Sequence, residues 1–328
     1  MTQEHESTTP GEWVTYRPGI KVLDCTVRDG GLVNEHQFTD EFVKGVYAAC
    51  VAAGVDYMEL GYKGAKRLYS PTVHGKWKHC TEDDMRAIVG ENPTSLKLSA
   101  MADADRCDYK TDILPKKDSV IDLIRVACYI HQLPLAMDMI KDATDKGYET
   151  TLNIMALSTV QEAEIRTALA EVAKGPVNVL YVVDSYGSLY TEQVDAYTKL
   201  FLEYTAGTGK HVGMHAHNNQ QLAYANTIQS IIAGANWLDA TINGLGRGAG
   251  NCQMELLLGF LKNPKFKLRP ILEAIRDHFV PLSKQIEWGY NLPYMVTGLL
   301  NQHPREAIEW LDGPKRDDFV AFYDYMME

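Results

Sequence analysis

Eight short apolar segments, separated by longer amphipathic stretches, set the pattern of this chain. Each segment has the length of a strand and is rich in residues that favour strands. They cover residues 20–26, 55–60, 95–101, 123–128, 150–156, 177–184, 211–217 and 237–242. Between them, apolar residues recur at spacings of three and four, which predicts helices. One helix is expected to begin at the N-cap Thr39 and to end at Gly54.

Alternation of strands and helices predicts a parallel sheet, because a parallel connection requires a crossover. Eight such units over about 240 residues match a (β/α)8 barrel in number and size. The alternative, an open doubly wound sheet, would need a glycine-rich phosphate turn after its first strand. Residues 28–31 read Arg-Asp-Gly-Gly and do not fit G-x-G-x-x-G. We therefore predict an α/β fold, a (β/α)8 TIM barrel with a small C-terminal helical extension.

The pattern also predicts the domain boundaries. Residues 1–18 are polar and are expected to form a flexible N-terminal segment, residues 19–263 the catalytic barrel, and residues 264–328 a helical extension. The Tyr-rich end of that extension, residues 322–327, is typical of an interface and leads us to expect a homo-oligomer.

Composition restricts the class of protein. With 45% hydrophobic and 23% charged residues, the chain is an ordinary globular protein. Its net charge of −11 argues against nucleic acid or an anionic membrane as a partner. No apolar run is long enough to cross a bilayer. The 6 cysteines form no C-x-x-C pair, which predicts the reducing cytoplasm rather than a disulfide framework.

The strongest chemical signal is the pair His215 and His217. Residues two apart on a strand face the same side, and neutral imidazoles are good ligands for a divalent metal. Most His-x-His pairs are core packing, but polar residues 218–221 follow this one, as expected at the mouth of a strand. An anionic partner is available far upstream in Asp29. We predict that Asp29, His215 and His217 hold one divalent metal.

Polar residues stand at most of the predicted strand ends, and in a barrel these ends converge on one mouth. Ser99 alone is equally well explained as a turn cap. The full set favours an active site, with Ser99, Asn153, Asp184 and Ser185 as candidate substrate-binding residues. The strand-end residues are Arg28, Asp29, Glu59, Ser99, Asn153, Asp184, His215 and His217.

A glycine-rich loop, residues 243–251, follows the last strand. Its four alternating glycines permit tight turns and close approach to a ligand or to the next helix. A flexible loop and a phosphate cradle remain alternatives. Asn251 is a candidate to contribute an amide oxygen to the site.

Three of these motifs together resemble the DRE-TIM metallolyase family. They are residues 24–30, 215–218 and 243–251, and the resemblance covers about residues 20–262. The family includes 4-hydroxy-2-oxovalerate aldolase, 3-hydroxy-3-methylglutaryl-CoA lyase and 2-isopropylmalate synthase. The resemblance implies that Asp29, His215 and His217 bind the metal and that Arg28 stabilises an enolate.

Within that family the chain looks most similar to the 4-hydroxy-2-oxovalerate aldolases. The similarity extends to residues 35–39, to the pair Asp184 and Ser185, and to residues 289–294. It implies a substrate-facing tyrosine, for which Tyr290 and Tyr294 are both candidates.

One departure from the aldolase pattern leaves the catalytic base open. These aldolases carry a catalytic histidine three residues after the metal-binding aspartate, where this chain has Leu32. His36, Glu59 and a C-terminal tyrosine are the remaining candidates.

The predicted chemistry starts from a 2-oxo acid that chelates the metal through its keto and carboxylate oxygens. The always-charged, forked guanidinium of Arg28 would hold the enolate oxygen. A site of one carboxylate and two imidazoles, facing an oxygen-rich substrate, favours Mn²⁺ or Mg²⁺ over Zn²⁺. The expected partners are a 2-oxo acid and an aldehyde, and a partner dehydrogenase is a further expectation.

A basic loop, residues 63–80, carries no acidic residue in a chain of net charge −11. It is either a solvated loop or a lid that recognises a carboxylate or phosphate on the aldehyde. Lys63 and Arg67 are the candidate substrate-binding residues of the lid.

Three functions compete. The leading hypothesis is a metal-dependent aldolase that makes or consumes a pyruvate-type enolate. The second is a Claisen-type acyl-CoA synthase or lyase, for which the C-terminal residues look too few to form the usual regulatory domain. The third is an inactive barrel that serves as a partner subunit, which Leu32 favours and the complete ligand set opposes.

Overall fold

The computed structural model describes residues 18–328, so residues 1–17 of the predicted N-terminal segment lie outside the described residues. Eight parallel strands close into a barrel in sequence order, with β1 beside β8. They are β1 Lys21–Asp24, β2 Tyr57–Tyr62, β3 Lys97–Asp103, β4 Leu123–Cys128, β5 Glu149–Ile154, β6 Val179–Asp184, β7 His211–Ala216 and β8 Trp237–Ala240. The predicted barrel is confirmed, and each strand end lies within two residues of its predicted position.

Helices surround the barrel and extend beyond it. They are α1 Thr26–Gly30, α2 Asp40–Ala53, α3 Glu82–Val89, α4 Tyr109–Asp112, α5 Leu133–Asp145, α6 Glu162–Val172, α7 Thr191–Thr205, α8 Ala223–Ala233, α9 Met254–Leu261, α10 Leu268–Ala274, α11 Val280–Leu282, α12 Leu292–Leu299, α13 Arg305–Asp312 and α14 Phe319–Met327. The crossover from β3 to β4 has only the single turn α4 and a short 3₁₀ turn, Lys116–Asp118. No helix of residues 18–328 is long and apolar enough to span a membrane.

Helix α2 shows how local sequence sets an element. The Thr39 hydroxyl accepts a hydrogen bond from the backbone N–H of Phe42 at 3.2 Å, which caps the first turn. Gly54 ends the helix at φ +75°, a left-handed conformation that glycine adopts without steric cost. Both predicted caps are confirmed.

The barrel interior is stacked in layers, because alternate strand residues point inward. The lowest layer is apolar and closes the bottom, with Leu23, Tyr57, Leu123, Val179 and Trp237. Above it lies a buried charged layer made of Glu59, Arg125 and Asp239. Because these two layers fill the lower part of the barrel, the polar strand ends above them face the mouth at the strand carboxyl ends.

The C-terminal helices pack in two places. Helix α10 packs against α2, while α12, α13 and α14 form a small core around Val296, Ala307 and Phe322. Asn219, just after β7, donates a hydrogen bond to the Tyr294 carbonyl at 3.2 Å, which ties α12 to the barrel mouth. Along the Tyr-rich end, Tyr325 is 51% exposed, and the interface and homo-oligomer stay predictions.

Candidate metal centre and active site

The predicted metal ligands lie together at the barrel mouth. Asp29 comes from helix α1, directly after β1, and the two histidines come from the end of β7 and the residue after it. Asp29 Oδ2 is 3.6 Å from His215 Nε2 and 3.4 Å from His217 Nε2. All three side chains are buried, so the cluster is a closed pocket of potential ligand atoms rather than a surface patch.

Second interactions fix both imidazole rings. His215 Nδ1 lies 2.9 Å from Asp239 Oδ2, and His217 Nδ1 lies 3.0 Å from the Asp184 carbonyl oxygen. Both neighbours are acceptors, so each ring carries its proton on Nδ1 and presents the Nε2 lone pair toward Asp29. This is the arrangement that metal-binding histidines require.

Unsatisfied polar atoms show that these residues fit a cation. Within residues 18–328, His217 Nε2, Asp29 Oδ1 and Asn251 Oδ1 are buried without a hydrogen-bond partner. Buried polar atoms are normally paired, and a divalent ion would satisfy the imidazole and the carboxylate. Asn251 donates its amide N–H to Asp29, which brings it to the edge of the cluster, whereas its Oδ1 faces Gly246.

Electrostatics keep Asp29 ionised. Burial opposes ionisation, but the Arg28 guanidinium outweighs it and holds the pKa of Asp29 well below its usual range. Arg28 NH1 lies 3.4 Å from Asp29 Oδ1. The site therefore has a permanent anion for a metal and a permanent cation beside it.

Below the metal ligands runs a chain of buried ion pairs. Arg28 Nε donates to Glu59 Oε2 at 2.7 Å, and Arg125 NH1 donates to the same oxygen at 3.0 Å. Arg125 NH2 then donates to Asp239 Oδ2 at 2.5 Å, and Asp239 holds His215. The chain fixes both Arg28 and His215, so the charged layer of the barrel positions the site above it.

Arg28 keeps one donor free. Its Nε and NH1 face carboxylates, whereas NH2 is buried with no hydrogen-bond partner in the described chain. The same guanidinium lines the cavity that contains the metal ligands. It can therefore donate to an oxygen of a bound ligand, as predicted for an enolate oxygen.

A cavity with about 560 Å³ of empty volume opens above these groups. Of the predicted substrate-binding residues, Asn153 and Ser185 line it. The Ser185 hydroxyl accepts a hydrogen bond from the backbone N–H of Ala156 at 2.8 Å. The polar side chains of its wall suit a small polar molecule.

The four predicted catalytic acid–base residues do not line this cavity. His36 is buried beside the Tyr62 ring, and burial, with the cationic Lys78 nearby, lowers the pKa of His36 to about 2. Glu59 is held between two arginines. Tyr290 is 44% exposed, and Tyr294 lines a separate cleft. These positions give none of the four a direct path to a ligand at the metal.

Four predicted substrate-binding residues also lie away from the cavity wall. Ser99 donates to the Met58 carbonyl, and Asp184 accepts from the N–H of Ser188, so both have structural partners. Lys63 and Arg67 line a separate surface cleft. There, Lys63 donates to the Cys80 carbonyl, and Arg67 pairs with Asp108.

Several residues of the site were not predicted from the sequence. Arg125 and Asp239 could have been identified from the sequence, because a charged residue in the middle of an apolar strand must find a buried partner. Asp103 was missed because the predicted third strand stopped at residue 101. His303 comes from the extension and had no local signal. The missed cavity residues are Tyr62, Asp103, Tyr129, Tyr186, Arg247 and His303.

The barrel, the ligand cluster and the arginine beside it define a metal-dependent lyase of the barrel type. The chain belongs to the HMGL-like family, whose model matches residues 19–277. The predicted family resemblance and the predicted carbon–carbon lyase class are thereby confirmed.

Named relatives agree with this class. The chain is 31% identical over 280 residues to oxaloacetate decarboxylase of Mycobacterium tuberculosis. This alignment covers 83% of this chain and 79% of that protein. It is 28% identical over 265 residues to 4-hydroxy-2-oxovalerate aldolase of Thermus thermophilus, with 79% and 74% covered.

Solved structures confirm the fold. The N-terminal domain of a candidate aldolase from Bacteroides vulgatus superposes with a TM-score of 0.75 at 27% identity, covering 92% of this chain and 100% of that one. HMG-CoA lyase from Brucella melitensis superposes with a TM-score of 0.64 at 15% identity, covering 81% and 99%, which supports the barrel alone.

Proposed function

We propose that this chain is a divalent-metal-dependent aldolase that cleaves or forms the C3–C4 bond of a 4-hydroxy-2-oxo acid through a pyruvate-type enolate. One observation carries the proposal. The free NH2 donor of Arg28 and the free ligand atoms of Asp29, His215 and His217 border the same small cavity. A 2-oxo acid has adjacent keto and carboxylate oxygens that match such a pairing of cation and arginine.

The metal would be held by Asp29, His215 and His217, with the Asn251 amide N–H donating to Asp29. A hard, oxygen-binding ion such as Mn²⁺ or Mg²⁺ suits this donor set better than Zn²⁺, since it includes no thiolate. When bound, the ion supplies Lewis acidity to the keto oxygen.

Arg28 has the main role among the protein groups. As the C3–C4 bond breaks, its electron pair moves onto the keto oxygen and makes an enolate. The NH2 group of Arg28 donates to that oxygen as charge develops, and its held position means that little reorganisation is required. Glu59 fixes the guanidinium through Nε and so acts as a positioning residue rather than as the base.

Leu32 favours a second candidate, the decarboxylation of a 2-oxo diacid such as oxaloacetate. Leu32 lines the cavity where the loop after Asp29 passes, and it has no group that can move a proton. Loss of CO2 from oxaloacetate yields the same enolate without removal of a hydroxyl proton. The Mycobacterium tuberculosis relative carries this activity in its name.

Exchange of the pyruvate methyl protons tests the proposed function without knowledge of the aldehyde. In deuterated buffer with Mn²⁺ or Mg²⁺, mass spectrometry should show deuterium in the methyl group, and chelation of the metal should stop it. Arg28→Lys should slow exchange by about 100-fold, because a lysine ammonium cannot reproduce the forked donors. Arg166→Lys, on the outer helix α6, is the matched control and should exchange normally. Absence of exchange with every metal would refute the proposal.

A further inference from the structure

Asp103 is a cavity carboxylate without a structural partner. It is the last residue of β3 and lines the cavity together with Met101, two residues earlier on the same face of the strand. Across residues 18–328, its carboxylate makes no hydrogen bond and no ion pair within 4.0 Å. A half-buried carboxylate with neither a hydrogen bond nor a close ion pair is available for a ligand.

The other acids near the mouth are already committed. Glu59 holds Arg28 and Arg125, Asp239 holds His215, and Asp29 belongs to the candidate metal centre. Only Asp29 and Asp103 are acidic among the described residues that line the cavity. Asp103 is therefore the one carboxylate there that can accept a proton without disturbing the metal centre.

The remaining candidates for proton transfer are poorer. Burial, with Arg247 beside the ring, lowers the pKa of His303 to about 4, so this imidazole is a weak base. Burial raises the pKa of both Tyr62 and Tyr186, so these phenols stay protonated. The loop after Asp29 contributes Leu32, an aliphatic side chain.

The position of Asp103 in the barrel suits the reaction. β3 and β7 are four strands apart in a closed barrel of eight, so Asp103 and the two histidines occupy opposite walls. A 2-oxo acid with its keto oxygen toward β7 would extend its C3 and C4 atoms toward β3. Arg28 and Asp29, which follow β1, flank that path.

We propose that Asp103 is the catalytic acid–base residue of this site, which rests on the proposed function. In cleavage, the Asp103 carboxylate takes the proton of the 4-hydroxyl, C4 becomes the aldehyde carbonyl, and the C3–C4 electron pair enters the enolate. The Asp103 carboxylic acid then returns the same proton to C3 and forms the pyruvate methyl group. In the opposite direction, Asp103 removes a methyl proton and later protonates the alkoxide.

Charged neighbours of Asp103 suit this role. Burial raises the pKa of Asp103, while Lys78, Arg28 and Arg106 oppose that increase. Lys78 Nζ is fixed between two aromatic rings, 4.0 Å from that of Tyr62 and 4.1 Å from that of Tyr69. The carboxylate is thus more basic than an exposed one, while its cationic surroundings favour the ionised form.

The test compares two reactions of the metal-loaded full chain that share the enolate. Pyruvate methyl exchange requires a base, whereas oxaloacetate decarboxylation makes the enolate without one. Asp103→Asn should lose about 100-fold or more in exchange and keep the wild-type rate of decarboxylation. Bound metal, measured by elemental analysis, and oxalate affinity, measured by calorimetry, should both be unchanged. Asp105→Asn, at an exposed position in the loop directly after β3, is the matched control and should exchange like the wild type.

Three results would count against the proposal in different ways. Normal exchange by Asp103→Asn would overturn it. A parallel loss of exchange, decarboxylation and oxalate affinity would also overturn it, because Asp103 would then build the site rather than move a proton. A wild-type protein that shows no exchange with any metal would refute the proposed function itself, and with it any part for Asp103 in that function.

Discussion

Asp239 Oδ2 lies 2.9 Å from His215 Nδ1, and this contact joins the buried charged layer to the candidate metal centre. The same carboxylate accepts from Arg125, and together with His215 this arginine lowers the pKa of Asp239 even though burial opposes it. A permanently ionised Asp239 keeps the His215 proton on Nδ1. The Nε2 lone pair is then available for a cation before any cation arrives.

Replacement of Asp239 by asparagine should weaken metal binding. The amide can still accept from Nδ1, but it lacks the negative charge that makes the imidazole a stronger ligand. We expect Mn²⁺ affinity to fall by about 10–100-fold, measured by titration of the apoprotein. Asp138→Asn, on the outer helix α5, serves as the control for the loss of one negative charge. Equal affinities in both variants would mean that His215 is not a ligand through Nε2.

A single methyl group added to the glycine loop after β8 should lower both the stability of the fold and the metal affinity. Gly250 has φ +79°, and a Cβ there would lie 2.1 Å from the Gly244 carbonyl oxygen. Gly250→Ala should therefore cost about 1–3 kcal/mol of unfolding free energy, measured by urea denaturation. Because the next residue, Asn251, donates to Asp29, metal affinity should fall as well.

Gly259 provides the matched control for this prediction. It lies within α9, and outside that helix's own backbone a Cβ there would meet no atom of residues 18–328 within 4 Å. Gly259→Ala should be neutral or stabilising by about 0.5–1 kcal/mol, because alanine favours the helix. An equal loss in both variants would show that the Gly250 conformation is not what the loop depends on.

The fold was predictable because its signals are local and repeated. Each strand is a short apolar run, each crossover is long enough for a helix, and eight repeats permit a closed barrel. Four strands end one or two residues before their predicted ends because apolar character continues past the last ladder hydrogen bond, as at Ile242. β3 instead continues two residues past its predicted end at residue 101, which left Asp103 outside the predicted strand.

The site was predictable only in part, because sequence shows residue types and not partners. Asp29, His215, His217 and Arg28 stand in recognisable motifs, and the structure brings them together. The candidate base could not be read in this way. His36 is the nearest histidine to Asp29 in sequence, but it is buried against Tyr62 and outside the cavity. Its position depends on how the loop after Asp29 folds, which residue types alone do not show.

The pH dependence of pyruvate exchange should reveal Asp103. Exchange requires the ionised carboxylate, so the rate should fall as the pH drops through its pKa, which burial raises above 3.8. Lys78 lowers that pKa, so Lys78→Met should move the acidic limb of the pH–rate profile to higher pH. The control Lys66→Met, in the same basic loop, should leave the limb in place. A shift to lower pH in Lys78→Met would contradict the assignment.

A histidine placed at position 32 should restore the proton transfer that Asp103→Asn loses. Leu32 lines the cavity and packs beside Tyr62 and Met101, and Met101 precedes Asp103 on the same face of β3. An imidazole there would reach the same part of the cavity. The double variant Leu32→His with Asp103→Asn should exchange pyruvate protons at least about tenfold faster than Asp103→Asn alone. Its acidic limb should lie near pH 6.5, where histidine titrates.

Leu32→Asn in the same Asp103→Asn background tests whether position 32 must supply a base or only a polar side chain. Asparagine is close to leucine in size and can hydrogen-bond, but it does not accept a proton near neutral pH. Rescue by histidine and not by asparagine would show that the cavity lacks only a base once Asp103 is removed. Equal exchange in the two double variants would mean instead that position 32 affects pyruvate binding, and that the proton moves by another route.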